Sequence, residues 1–201
     1  MQHDFTILEK AISFAVEAHQ GLPRKGTHMP YILHPLESAA IVGSLTDDLE
    51  VIAATVLHDV LEDTSVTEKL LRSEFGDRIA DWVCAESENK RKGQPEAETW
   101  QLRKQETINH LQREHRLEVK MITLGDKLSN IRAIYWDYQR IGDQLWDRFN
   151  QKDITKIGWY YRSVADAIRE LHDTPAWREL DELIGKVFGT RGTVSDTKTE
   201  H

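Results

Sequence analysis

Residues 48–64 read DLEVIAATVLHDVLEDT, an apolar segment that acquires acidic side chains only near its end. Its early turns are apolar on every side, which is typical of a helix buried in a protein core. His58 and Glu62 are four residues apart, as are Asp59 and Asp63, so the four side chains project together from adjacent turns. They also stand at the helix C-terminus, where the helix dipole disfavours negative charge. A divalent cation bound there would relieve both penalties.

A solvated helix end would also account for these acids, because acidic residues are usually exposed. The neighbouring His58 favours a metal site, since imidazole together with carboxylate suits manganese, iron or zinc. Such a site needs partners from distant parts of the chain, and the candidates are His34 and Asp126. His34 stands where a loop becomes a helix. Asp126 lies in an apolar helix, where it either binds the ion or pairs with Lys127 or Arg132.

Apolar residues recur at helical spacing along the chain, and no segment alternates with the period of two that is typical of a strand. The predicted fold class is therefore all-α, a helical bundle with the metal site in its core. The length of 201 residues suits one compact domain, which we expect over residues 1–188. Residues 189–201 have no such periodicity and are predicted to form a flexible C-terminal tail.

Start and stop signals give approximate helix bounds. Ser65 and Glu68 form a capping-box pattern, which predicts that a new helix starts directly after the acidic cluster. Gly76 and Asp77 are expected to open another helix, and the charged stretch 86–99 is expected to form a surface loop. The other helices are predicted at about 6–20, 35–45, 48–63, 100–113, 117–134, 153–172 and 176–187.

The composition is 39% hydrophobic and 30% charged, as in soluble globular proteins. A net charge of −8 argues against binding to DNA or RNA, because such binding requires a basic surface. A small anionic ligand remains compatible with this charge if local cations or a metal ion receive it. No apolar run is long enough to cross a membrane, and no secretion signal precedes the first helix. The single cysteine, Cys84, excludes an internal disulfide, and we expect a cytoplasmic protein.

Five segments resemble the HD-domain metal-dependent phosphohydrolases, and more narrowly the hydrolase domain of the RelA/SpoT alarmone enzymes and the small alarmone hydrolases. The segments occur in the family's order between residues 5 and 170. They are RKGTHMPYILHP (24–35), AATVLHDVLEDT (53–64), TWQLRKQETINHL (99–111), LGDKLSNIRAI (124–134) and GWYYRSVADAI (158–168). A lone His-Asp pair would be weak evidence for a relationship to this family, whereas five matching segments in the same order are strong evidence for it.

The resemblance implies one manganese ion per chain, or another divalent transition metal in its place. It also implies removal of the 3′-pyrophosphate from ppGpp and pppGpp, the alarmones of the stringent response. The ion would activate a water and polarise the phosphoryl group, while one of two acids orients that water or takes its proton. Which acid takes the proton is left open. By the resemblance the metal ligands are His34, His58, Asp59 and Asp126, and the acid pair is Glu62 and Asp63.

The resemblance further implies a nucleotide pocket. Arg24 and Lys25 match family residues that line it, although an exposed basic turn is the alternative interpretation. Asn130 lies one turn after Asp126 and would hydrogen-bond ribose or phosphate, and Arg132 is a further candidate cation. The aromatic residues 159–161 are more often core residues, and they are retained only as a candidate pocket wall.

The chain also departs from the family pattern. Asp126-Lys127-Leu128-Ser129-Asn130 replaces the frequent Asp-Arg-Leu-His-Asn, and AESENKRKG (85–93) replaces a stretch containing Gly-Val-Thr-Lys. The metal ligands survive these changes, but the preference for guanine does not follow from the sequence. The alternatives are therefore hydrolysis of another nucleotide, such as (p)ppApp, a 5′-nucleotide or NADPH, and a non-catalytic nucleotide sensor. A plain helical scaffold would leave the buried acids unexplained.

Overall fold

A computed structural model describes residues 4–91 and 93–189. Nine α-helices follow one another in this part of the chain, and it contains no β-strand, so the predicted all-α fold class is confirmed. A single isolated bridge joins Pro23 to Pro30. The helices are α1 Thr6–Ala18, α2 Leu33–Val42, α3 Leu49–Leu57, α4 Val60–Asp63, α5 Glu68–Glu86, α6 Glu96–Arg113, α7 Leu117–Ile141, α8 Ile154–Ala167 and α9 Pro175–Phe188.

Several predicted bounds were wrong. The helix expected at 48–63 is interrupted, because α3 ends at Leu57 and α4 begins at Val60. The cap after the acidic cluster is Thr67, whose side chain accepts a hydrogen bond from the Leu70 amide, and Ser65 is not the cap. Gly76, by contrast, has a φ of +77° and a ψ of 172°, so two helical segments meet at a kink inside α5, and the helix start predicted at Gly76 and Asp77 is confirmed there. The surface loop is shorter than expected, since α6 starts at residue 96, and α7 extends to residue 141. Of the predicted tail 189–201, residues 190–201 lie outside the described part.

The core consists of two apolar clusters that meet along α7. Val119 and Ile122 on α7 pack into the cluster built from α1, α2, α3 and α5, whereas Leu124 and Leu128 pack into the cluster built mainly from α6, α8 and α9. Because helices surround α7, most of its residues from Val119 to Ile131 are buried, including the polar Thr123, Asp126 and Ser129. In the described residues, no helix is long and apolar enough to span a membrane.

Helices α2 and α7 cross at Gly125. A Cβ atom added at Gly125 would lie 2.8 Å from the backbone oxygen of Ser38 and 2.8 Å from Cγ2 of Val42. Only glycine permits this approach, because any side chain would separate the helix backbones. The crossing places His34, on the first turn of α2, beside Asp126 on α7.

Candidate metal centre

His58 and Asp59 lie at the interruption between α3 and α4. The His58 ring is buried, and its Nδ1 atom donates to the backbone oxygen of Thr55 at 2.7 Å. This hydrogen bond leaves the Nε2 atom facing the core without a hydrogen-bond partner. A buried, unpartnered imidazole nitrogen is costly unless a proton or a metal ion satisfies it.

His34 is oriented by a second hydrogen-bond chain. Its Nδ1 atom lies 2.8 Å from the Ser129 hydroxyl, which donates to Glu37 Oε2 at 2.8 Å. Because the hydroxyl proton is used on Glu37, Nδ1 is the donor to Ser129 and Nε2 carries the lone pair. The lone pairs of both histidines therefore point to the same place.

Two carboxylates complete this cluster. His34 Nε2 lies 3.2 Å from Asp126 Oδ1 and 3.5 Å from Asp59 Oδ2. His58 Nε2 lies 3.0 Å from Asp59 Oδ2 and 3.8 Å from Asp126 Oδ1. The candidate ligand atoms of His34, His58 and Asp126 all lie within 4.8 Å of one another. The structure thus brings His34, His58 and Asp126 together as one group that could hold an ion, and Asp59 contacts both imidazoles through Oδ2 without belonging to that group. The mixed nitrogen and oxygen donors suit a divalent transition metal.

The electrostatics of the cluster also favour a cation. Burial acts to raise the pKa of Asp59, but the two imidazoles outweigh it and hold the pKa below its ordinary value. Burial also acts to raise the pKa of Asp126. Lys127 and the imidazoles outweigh this effect and lower the pKa well below its ordinary value. In His58 burial is outweighed by both carboxylates, which raise its pKa. The carboxylates stay ionised and attract positive charge, which a metal ion supplies in place of a proton.

Tyr31 is a neighbour of the cluster to which the sequence analysis assigned no role. Its hydroxyl donates to Asp59 Oδ2 at 2.6 Å, and its ring stacks on His19 at a centroid distance of 5.0 Å. Tyr31 lies three residues before His34 in a segment quoted for the family resemblance, so position alone could have identified it. The contact fixes the orientation of the Asp59 carboxylate.

The acid pair is held by the segment that follows α5. Glu62 Oε1 accepts from the Glu88 amide at 2.5 Å, and Lys90 Nζ lies 3.3 Å from Glu62 Oε2. Lys90 also donates to Asp63. Glu62 lines the same cavity as the histidines, whereas Asp63 does not line it. Burial raises the pKa of Glu62 above its ordinary value, a direction that favours uptake of a proton by this carboxylate.

The cluster opens into a cavity of about 1160 Å³. Although the chain has a net charge of −8, this cavity is rich in basic side chains, as a small anionic ligand requires. The basic residues that line it are Arg24, Lys25, Lys90, Arg103, Lys104, Lys127, Arg140 and Arg148. Six of them received no substrate role in the sequence analysis: Lys90, Arg103, Lys104, Lys127, Arg140 and Arg148. Tyr160 and Tyr161 form part of the wall as expected, but Trp159 does not.

Three of the four nominated substrate-binding residues reach the cavity. Arg24 donates to Asn130 at 2.8 Å, and Asn130 donates to Asp126 Oδ1 at 2.5 Å. Lys25 donates to Asn150 at 2.8 Å. The contacts of Arg24 and Asn130 connect the loop before α2 to Asp126 of the metal cluster.

Arg132 was expected at the substrate, and the structure corrects this. It does not line the cavity, and its guanidinium pairs with Glu179 at 2.6 Å and with Glu37 at 3.2 Å. It therefore stabilises Glu37, the acceptor of the hydrogen-bond chain behind His34. Asp126 pairs with its neighbour Lys127 through Oδ2, while Oδ1 faces the imidazoles. The ion pair and the metal position are thus compatible.

The chain is similar to known proteins of one family. A family model described as HD domain matches residues 11–152. The chain is 30% identical over 190 residues to guanosine-3′,5′-bis(diphosphate) 3′-pyrophosphohydrolase MESH1 of Danio rerio, covering 92% of this chain and 94% of that protein. It is 37% identical over 123 residues to a guanosine-3′,5′-bis(diphosphate) 3′-pyrophosphohydrolase of Haemophilus influenzae. That match covers 60% of this chain and 17% of the longer protein.

Solved structures show the same architecture. A metazoan ortholog of SpoT that hydrolyzes ppGpp superposes with a TM-score of 0.74 at 22% identity, covering 92% of this chain and 98% of that one. The structure of lmo0812 from Listeria monocytogenes EGD-e gives a TM-score of 0.67 at 29% identity, covering 79% and 96%.

Proposed function

The chain belongs to the HD-domain family, and we propose that it is a metal-dependent hydrolase that removes the 3′-pyrophosphate from ppGpp and pppGpp. The observation that carries this proposal is the convergence of two imidazoles and the Asp126 carboxylate on one point of a cavity rich in basic residues, with the Asp59 carboxylate in contact with both imidazoles. The products would be GDP or GTP and pyrophosphate. The relatives named for this reaction support the choice of substrate.

In this proposal His34, His58, Asp59 and Asp126 hold one manganese ion. When bound, the ion supplies Lewis acidity toward the phosphoryl group. Glu62 orients the attacking water and takes its proton, because its carboxylate is in the cavity and burial raises its pKa. Asp63 stays paired with Lys90 and holds that lysine beside Glu62.

The shape of the cavity supports a substrate with two separated anionic groups. Helix α7 lines it from Thr123 to Arg140, about 26 Å along the helix axis. Arg24 and Asn130 would bind the nucleotide next to the metal, and Arg148 lies further along the same cavity. We further propose that the substrate is a free nucleotide in the cytoplasm and not DNA or RNA, since the net charge of −8 opposes a polyanion.

The test is a digest of ppGpp with the purified chain and added Mn²⁺, with the products identified by chromatography. We expect stoichiometric pyrophosphate and GDP, and at least a 1000-fold lower rate after Asp59→Ala, about 4 kcal/mol of transition-state stabilisation. Asp173→Ala, a surface aspartate, is the matched control and should retain full activity. Release of orthophosphate, or turnover of (p)ppApp, a 5′-nucleotide or NADPH but not of ppGpp, would reject the guanosine alarmone as substrate. Tight ppGpp binding with no turnover would identify a sensor.

A further inference from the structure

A preformed anion site lies on the cavity-facing side of α6. Arg103 is only 6% exposed, and its own helix holds its guanidinium: Nε donates to Thr99 Oγ1 at 3.2 Å and Nη2 donates to the Glu96 backbone oxygen at 3.2 Å. These contacts leave Nη1 directed away from the helix. Lys104 and Thr107, on the same face of α6, also line the cavity. A buried guanidinium fixed in this way matches the planar oxygens of a carboxylate or phosphate.

In this structure the anion at the site is the side chain of Glu88. Its Oε1 pairs with Arg103 Nη1, and its Oε2 lies 2.7 Å from Lys104 Nζ and 3.4 Å from Thr107 Oγ1. Burial acts to raise the pKa of Glu88, but Lys104 and Arg103 outweigh it and lower the pKa. Glu88 belongs to the irregular segment between α5 and α6, so the cations are on a helix and the anion is on a connection.

The site adjoins the metal cluster. Lys104 Nζ lies 4.9 Å from the centre of the Tyr160 ring, and Lys127 Nζ lies 5.8 Å from the same ring centre. Lys127 is the residue that pairs with Asp126. Glu88 itself donates its backbone N–H to Glu62. The same residue therefore blocks the anion site with its side chain and restrains the proposed base with its backbone.

We propose that Arg103, Lys104 and Thr107 form a phosphate subsite of the cavity, and that the Glu88 carboxylate is an internal stand-in which a phosphate group of the substrate displaces. This inference rests on the proposed function, because it assigns the subsite to the same nucleotide. A phosphate group carries more negative charge and more acceptor oxygens than a carboxylate, so it competes favourably for these three donors.

A purely structural role for Glu88 makes a different prediction. If the ion pair only fastens the segment to α6, its loss lowers stability and leaves the affinity for phosphate unchanged or weaker. If Glu88 competes with phosphate, its neutralisation strengthens phosphate binding. The two roles therefore differ in the sign of the change in affinity.

The experiment is calorimetric titration of the full chain with inorganic pyrophosphate, for variants with the same metal content by elemental analysis. We expect Glu88→Gln to bind pyrophosphate about tenfold more tightly than the unmodified chain, and Glu88→Gln combined with Lys104→Met to lose that gain. Glu98→Gln, an exposed carboxylate on the same helix, is the control and should change nothing. If Glu88→Gln does not fold, Lys104→Met alone should still weaken pyrophosphate binding at least threefold.

Unchanged or weaker pyrophosphate binding by folded Glu88→Gln would overturn the proposal, as would a gain that persists in the double variant. The readout is independent of turnover. A chain that fails to hydrolyse ppGpp but shows the expected order of pyrophosphate affinities would refute the proposed function and retain the subsite. A chain that hydrolyses ppGpp but does not show that order of pyrophosphate affinities would support the proposed function and refute the subsite.

Discussion

Gly125→Ala should weaken both the fold and the metal site through a single contact. The added Cβ would lie 2.8 Å from the Ser38 backbone oxygen and from Val42 Cγ2, whereas ordinary contacts start at 3.4 Å. Helices α2 and α7 must therefore separate by about 0.6 Å or more. The 3.2 Å approach of His34 Nε2 to Asp126 Oδ1 depends on this crossing, and it should lengthen with it.

The magnitude follows from two opposing effects. Overpacking of a core typically costs about 1–3 kcal/mol, and alanine gains up to about 1 kcal/mol of helix propensity over glycine. We expect Gly125→Ala to lower the free energy of unfolding by about 1–2 kcal/mol. A metal site tolerates ligand shifts of only about 0.2 Å, so the Mn²⁺ affinity should fall at least tenfold, which is about 1.4 kcal/mol.

Urea unfolding followed by circular dichroism measures the first effect, and calorimetric titration with Mn²⁺ measures the second. Gly185→Ala is the matched control, because no atom lies within 4 Å of its added Cβ in α9. That variant should be up to about 1 kcal/mol more stable than the unmodified chain and should bind Mn²⁺ normally. If Gly125→Ala matches Gly185→Ala in both measurements, the close helix crossing does not set the spacing of the metal ligands.

Three further outcomes are expected. Ser129→Ala should lower Mn²⁺ affinity about 10–100-fold by removing the acceptor that orients His34, and Ser129→Thr should restore it; equal affinity in all three proteins would contradict the hydrogen-bond chain. Burial raises the pKa of Glu86 to about 7 from its ordinary 4.5. The folded state then binds the proton more tightly than the unfolded state, so this stabilisation is complete below pH 4.5 and is lost as pH rises through 7. In chelator, the unmodified chain should lose about 3 kcal/mol of unfolding free energy over that range relative to Glu86→Gln, and parallel pH profiles would contradict this. Saturating Mn²⁺ at 100 times its dissociation constant should raise the unfolding free energy by about 2.7 kcal/mol over the chelated chain, whereas His58→Ala should show almost no increase.

The types and spacing of residues close together in the sequence were enough to predict the fold class and to nominate the candidate metal ligands. Helical periodicity is a property of neighbouring residues, so the all-α prediction did not depend on how the helices pack. The acids at the end of a wholly apolar helix conflict with burial and with the helix dipole, and that conflict is visible in the sequence. His58 and Asp59 are adjacent, and the distant partners His34 and Asp126 could be nominated because each stands out in its own segment.

The exact ends of the helices and the ion-pair partners of charged residues could not be predicted from local sequence pattern. The interruption at His58 and Asp59 was missed because the hydrophobic pattern continues across it. Arg132 was nominated as a cation of the pocket, but it stands six residues after Asp126, about one and two-thirds turns, and therefore on a different side of α7. Packing of α9 beside α7 decided its partner, Glu179.

The sequence by itself determined that this chain folds as a helical bundle and which side chains are candidates for its metal site, because both depend on residue type and short-range spacing. Only the tertiary structure decided that Gly125 brings His34 to Asp126, that Ser129 orients His34, and that Glu88 lies on Arg103 and Lys104. Each of these contacts joins segments whose distance is set by helix packing, and packing depends on the shape of the whole core rather than on any one stretch of chain.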